Sequence, residues 1–407
     1  MMKLSKGISP KVYLWIIGLS VFFVMQDGTL LYVLLPIIQT DLQINMSQSI
    51  WIMNGYILPF ALLMPLVGIL SKRIANERMF FIGVLLFGCG ALCGALSPSF
   101  LSLLLSRIIQ GIGSSIIVPI SLVLMLNQSN KEGYTKIIGI WGAIGALAAS
   151  VGPILGGVIG QFGNWKIVFL INVLVFFVIF LFTAQIQQQK DTELFGTLQL
   201  KDLFKRSILL YTMLLNFGVG FILNSILYVE PFILSTFIDS TFGIAVGVVP
   251  LCISIILAAV IIRRMEKKVS LVTLAFAGVA FLVCSLLVII LTSNFGLFSL
   301  AMVNLFVGLG LGLIIISSTS QAMIEMEIKH HSFISSMINM SRLLGAVIGS
   351  TISSQIYRHY ALSGVNNGAN YFYTSLLLPA TLLMLVLIVQ LYWQRKNKSF
   401  HNVQEKM

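Results

Sequence analysis

The sequence predicts an all-α membrane protein of about twelve transmembrane helices in two pseudo-symmetric six-helix halves. Of its 407 residues 58% are hydrophobic and 9% charged, too few polar side chains to cover a water-soluble surface. Twelve runs reach the roughly 20 apolar residues that carry a helix, with its backbone paired internally, through a hydrocarbon core about 30 Å thick. A pattern of arginine, asparagine and glycine positions also repeats between the two halves.

The first span, 12–36, follows Lys3, Lys6 and Lys11 as a signal peptide's apolar core would. It is too long, lacks a small-x-small cleavage site and contains Asp27, and so reads as a retained span. The second, 48–70, ends at the basic loop SKRIANER, 71–78. The third, 79–97, carries Cys89 and Cys93 on one face, read as small packing residues. The fourth, 100–126, contains Arg107, the fifth, 136–160, is rich in glycine, and the sixth is 166–186. Polar residues then dominate 187–206, read as a cytoplasmic linker between an N-terminal half, 1–186, and a C-terminal half with a short tail, 207–407. Spans near 207–229, 243–262, 271–292, 296–320, 333–356 and 371–393 complete the set, and RRMEKK at 263–268 corresponds to the basic loop of the first half. Cys252 and Cys284 also fall inside spans, so no disulfide framework is implied.

The repeat supports duplication. Arg107-x-x-x-Gly111-x-Gly113 in the fourth span is matched by Asn304-x-x-x-Gly308-x-Gly310 in the tenth, 197 residues on, and Gly152 and Gly156 by Gly345 and Gly349, 193 on. Paired halves suit a carrier whose central site opens to either side as one half rocks against the other. The net charge of +12 reports topology and not nucleic acid. With the N-terminus inside, 21 of the 25 Lys and Arg lie on the cytoplasmic side, Lys166 and Arg358 lie outside, and Arg107 and Arg342 fall within spans. Both termini are thus expected in the cytoplasm of a bacterial inner membrane.

Asp27 is the most informative residue, because a carboxylate near mid-span costs roughly 2.5–3.5 kcal/mol on insertion scales. It reads as a proton-coupling group, with Arg107 as a buried cation that modulates it. Glu230 sits at the outer end of the seventh span, and Arg342, close to the cytoplasmic end of the eleventh, is positioned to snorkel. His330, His331, His359 and His401 are placed in loops or the tail, which rules out a histidine relay within the membrane. Candidates for the substrate cavity are Met25, Tyr32, Asn54, Tyr56, Phe217, Asn224, Tyr228 and Asn339. Gly152-Pro153-x-x-Gly156-Gly157 removes a backbone donor and side-chain bulk, which describes a bendable, closely packed helix. No catalytic group, metal or cofactor is expected.

QDGTLLYVLLP at 26–36 resembles the Asp-x-Thr signature of the drug/proton antiporters of the major facilitator superfamily, through Asp27, Thr29 and Pro36. Trp51, Tyr56, Pro65, Gly68, Leu70, Arg73 and Arg78 are similar to its second span and loop motif, and Arg107, Gln110, Gly111 and Gly113 to its fourth span. Gly139, Gly152, Pro153, Gly156 and Gly157 resemble its antiporter motif, and NWKIVFLINV at 164–173 its sixth-span start through Trp165, Phe169 and Asn172. Three residues depart: Lys72 stands for the loop's aspartate, Ala75 for its glycine and Ala148 for a fifth-span glycine. The first-half motifs look most like fourteen-helix exporters, whereas twelve spans are counted here.

The resemblance implies a monomeric carrier that exports amphiphilic or cationic drugs as protons enter. A carrier of one physiological metabolite (amino acid, siderophore, sugar or lipid precursor) on the same fold is the alternative. A membrane enzyme would need a nucleophile beside a base or a cluster of His with acids at a span end, and a receptor an appended soluble domain; the sequence offers neither.

Overall fold

The computed structural model describes residues 10–71, 73–128, 134–183, 207–236, 238–265, 268–291, 297–325, 331–362, 374–376 and 378–390. Eleven helices among them are long and apolar enough to cross a membrane: α1 (Pro10–Asp41), α2 (Met46–Leu70), α3 (Asn76–Ala95), α4 (Phe100–Leu126), α5 (Tyr134–Gln161), α6 (Lys166–Thr183), α7 (Ser207–Leu234), α8 (Thr241–Met265), α9 (Leu271–Leu291), α10 (Leu297–Glu325) and α11 (His331–Leu362). The expected twelfth span, 371–393, lies partly outside the described residues; within it runs the shorter apolar helix α12 (Thr374–Gln390). The expected linker, 187–206, also lies outside them, as do His330, His401 and Lys72.

Local chemistry sets the helix starts. Asn45 Oδ1 accepts the Gln48 amide at 2.9 Å and Gln48 Oε1 accepts the Asn45 amide at 3.0 Å, a reciprocal cap that satisfies two orphan donors before α2. Ser99 and Ser102 cap α4 in the same way. Between α5 and α6, Gly163 turns the chain at φ 67°, a conformation that costs a residue without Cβ little. Rows such as Leu170, Leu174, Phe177 and Leu181 on α6 are exposed, the apolar stripe that a membrane helix turns to lipid.

The chain forms two compact units, one taking in 1–196 and 227–249, the other 197–226 and 250–407. In the first, α1 packs on α5, α4 on both α2 and α3, and α3 on α6. Glycines make these approaches possible: a Cβ on Gly111 would strike the Tyr56 backbone of α2, and one on Gly113 the Phe87 backbone of α3. The second unit repeats the arrangement. Gly308 abuts Leu251 and Ser254 of α8, and Gly310 abuts Gly278 and Leu282 of α9. Likewise Gly152 and Gly156 close on α1 at Thr29 and Leu30, while Gly345 and Gly349 close on α7 at Phe217 and Phe221. The offsets of 197 and 193 thus correspond to equivalent helix contacts in each unit.

One expectation about α11 is corrected. His359 and His331 belong to the helix, not to a loop, because α11 continues past the apolar stretch at both ends. Arg342 is nine residues inside the membrane-length segment Phe333–His359, about 14 Å along the axis.

Candidate functional site: a buried acid and guanidinium in the first unit

Asp27 on α1 is fully buried, and both carboxylate oxygens are taken. Oδ2 accepts from Arg107 Nη1 of α4 at 2.5 Å, and Oδ1 from Asn172 Nδ2 of α6 at 2.7 Å. The acid thus ties three helices together. Arg107, also fully buried, donates from the same nitrogen to Gln110 Oε1 at 2.8 Å and from Nε to the Ile52 carbonyl of α2 at 3.4 Å. Its guanidinium carbon stands 4.2 Å from the centroid of the Tyr56 ring, a cation–π contact in a site shut off from water. Tyr56 is itself held: its hydroxyl donates to the Val24 carbonyl at 2.8 Å and accepts from Ser114 at 3.0 Å. Arg107 Nη2, Gln110 Nε2 and Asn172 Oδ1 have no hydrogen-bond partner among the described residues.

Two residues after Asp27, the Thr29 hydroxyl lies 3.1 Å from both the Gln26 carbonyl of its own helix and the Ala149 carbonyl of α5, which share its one proton. The Ala149 carbonyl is the one whose helical donor would be the amide of residue 153. Pro153 has no N–H, so that carbonyl lacks its helical donor, and the Thr29 hydroxyl of α1 is within reach to replace it. The glycines at 152 and 156 let the helices come close enough for this. Further along α5, Gly157 and Gly160 face Ala245 and Thr241 of α8, inside the first unit. Gly139 lies within α5 nearer its start.

The other expected residues are spread over both units. In the first, Tyr32, Asn54 and Tyr228 are buried, and Met25 faces Gly145 of α5. Tyr228 donates to the Met46 carbonyl at 2.7 Å and meets Ser49 Oγ at 3.0 Å. Of this set Tyr56 stacks on the Arg107 guanidinium. In the second unit Asn224 donates to its own helix at Gly220, Phe217 presents backbone to Gly345, and Asn339 accepts from Arg342. In the loop after α2, Arg73 and Arg78 are exposed, and no described acid stands within ion-pair distance of either; a Cβ on Gly68 would meet nothing within 4 Å. Glu230, placed at the end of its span, is fully buried as well.

A buried carboxylate bridged to a guanidinium across packed apolar helices coincides with a family match. The model of the Major Facilitator Superfamily matches residues 17–350. The chain belongs to that superfamily. It is accordingly a multi-pass membrane transporter. Among relatives of this facilitator, the methylenomycin A resistance protein of Bacillus subtilis (strain 168) is 23% identical over 412 residues, covering 86% of this chain and 88% of that protein. The riboflavin transporter RibZ of Clostridioides difficile (strain 630) is 33% identical over 164 residues, 40% of this chain and 36% of that protein. This second match therefore spans about a third of its relative. In fold the facilitator is similar to a bacterial homolog of the human lysosomal transporter Spinster (TM-score 0.67, 17% identity, 94% of this chain and 96% of that one). It is also similar to the nucleoside transporter NupG (TM-score 0.69, 15% identity, 92% and 97%).

Two residues of the facilitator's charge site were not assigned a role from sequence. Asn172 and Gln110 stood only as motif positions, because a neutral amide in a span shows no energetic anomaly of the kind that singles out Asp27. Their common signal is a polar side chain at a helical spacing that leaves it facing inward.

Proposed function

We propose that this transporter exports small amphiphilic molecules across a bacterial inner membrane in exchange for protons, with Asp27 as the coupling group and both termini in the cytoplasm. The observation that supports this reading most is the set of partners around Arg107. As a carboxylate, Asp27 balances the guanidinium. Once protonated it no longer does, yet Arg107 keeps Gln110 Oε1, the Ile52 carbonyl and the Tyr56 ring. A buried ion pair that loses one charge without a second set of contacts would be destabilised by several kcal/mol; here the contacts are already built. Proton binding therefore switches the tie between α1 and α4 without dismantling the site. The driving force suffices, since one charge moved through 100 mV yields about 2.3 kcal/mol.

The relative that is a resistance protein supports export of toxic compounds, and the relative that carries riboflavin supports the second reading, a carrier for one metabolite. Cells expressing the protein, challenged with unrelated dyes and antibiotics with and without a protonophore, separate the two. Protection against several compounds, lost with the protonophore, is expected. Protection against none points to the metabolite carrier, and protection that survives the protonophore contradicts proton coupling.

A further inference from the structure

The Asp27–Arg107 pair joins two buried charges of the first unit, and Arg342 in the second is left to explain. It lies about 14 Å along the span that starts at Phe333, a depth at which a guanidinium is costly unless an anion or a dense set of acceptors meets it. No carboxylate among the described residues stands within ion-pair distance of it. Its one described side-chain bond runs from Nη2 to Asn339 Oδ1, one turn back on α11, at 2.7 Å. A neutral amide aims the head group and neutralises nothing. Arginine has five N–H donors in a fork that matches an oxyanion.

The helix face shows that the side chain is not aimed at lipid. Arg342 shares a stripe with Gly349 and Ser353, seven and eleven residues on, and both are buried, Gly349 against Phe221 of α7. Ile348, 44% exposed, sits about 120° round the helix. Next to the arginine, Ser341 donates to the Met213 carbonyl at 2.7 Å and the Arg342 backbone meets Gly220, which fixes this stretch of α11 against α7. The arginine itself is half-buried.

We propose that Arg342, oriented by Asn339, is the anchor for an anionic group on the transported molecule, so that the substrates are amphiphiles bearing a carboxylate or comparable oxyanion and not cations. This rests on the transporter reading, deepens it by naming the substrate class, and departs from the cationic class that the family resemblance implies. A carboxylate on the fork is held by charge-assisted hydrogen bonds and supplies the negative charge that no described residue brings within ion-pair distance of Arg342.

The test is equilibrium binding to the purified full-length protein of a matched dye series: dansylglycine, its methyl ester and dansylethylenediamine, which present the same ring system with an anionic, a neutral and a cationic end. Wild type is expected to bind the carboxylate at least about tenfold more tightly than the ester or the amine, the weight of a charged hydrogen bond. Arg342→Gln should erase that preference while ester affinity stays within about twofold, and Arg342→Lys should retain part of it. Equal binding across the series, tighter binding of the amine, no binding of the carboxylate, or an undiminished preference in Arg342→Gln would each overturn the proposal. The wild-type series decides even if the glutamine variant does not fold. Binding needs no proton gradient, so a failure here leaves the coupling reading standing.

Discussion

Among the described residues Arg107 has three contacts independent of Asp27, whereas Asp27 has one besides Arg107, the Asn172 amide. The two partners are therefore unequal, and their removal should differ. Arg107→Ala strands a buried carboxylate, and breaking a buried pair from one side costs about 3–5 kcal/mol; a large loss of melting temperature in detergent is expected. The double variant Arg107→Ala with Asp27→Asn should recover much of that loss, since a neutral amide in place of the acid leaves no charge to bury. A double variant no more stable than Arg107→Ala would show that the pair is not the reason for the penalty. Both charged residues were legible in the sequence because a charge in an apolar run is an energetic anomaly. Their bond to one another was not, because residues 80 positions apart meet only once α1 and α4 are packed. Arg342 was undervalued for a related reason: its distance from the end of the apolar run was visible, but the face it occupies depends on which side of α11 meets α7.

Helix contacts carry the next level of the account, and the Thr29 bridge is the clearest case. Thr29→Val removes the donor that serves the Ala149 carbonyl, with a cost of about 1 kcal/mol in keeping with hydrogen bonds between membrane helices. In a Pro153→Ala background the amide of residue 153 can take over, and the same Thr29→Val change should cost little. Melting temperatures of the four proteins measure this cycle, and equal penalties in both backgrounds would break the link between the proline and the threonine. Glycine substitutions grade the packing in the same way. Gly111→Ala and Gly308→Ala, each driving a Cβ into backbone of the neighbouring helix, should lower stability, while Gly68→Ala and Gly142→Ala meet nothing within 4 Å and should be neutral or slightly stabilising. The repeat at offsets of 197 and 193 announced these equivalent contacts, because only small residues allow two helices in lipid to approach so closely. The sequence did not announce the mate of each glycine, nor the full length of α11, whose ends continue in polar residues that look like loop.

The molecule as a whole is a multi-pass facilitator. Fold class and the order of the spans were legible from apolar length alone, and the family from a handful of motif positions in the first half. The substrate was not, because motifs that build the scaffold and its charge site say nothing about the molecule carried. Proton-coupled exchange at the level of the whole carrier requires that the same protein catalyse two things: passive exchange of substrate for substrate, and uphill movement of substrate against a proton gradient. Asp27→Asn keeps a polar side chain of the same shape and should leave the first intact while removing the second. The measurement is made in proteoliposomes with a compound against which the protein protects cells: counterflow under no gradient, and accumulation under an imposed pH gradient. The account predicts counterflow near the wild-type rate and no accumulation for Asp27→Asn. Accumulation at the wild-type level in that variant would contradict it.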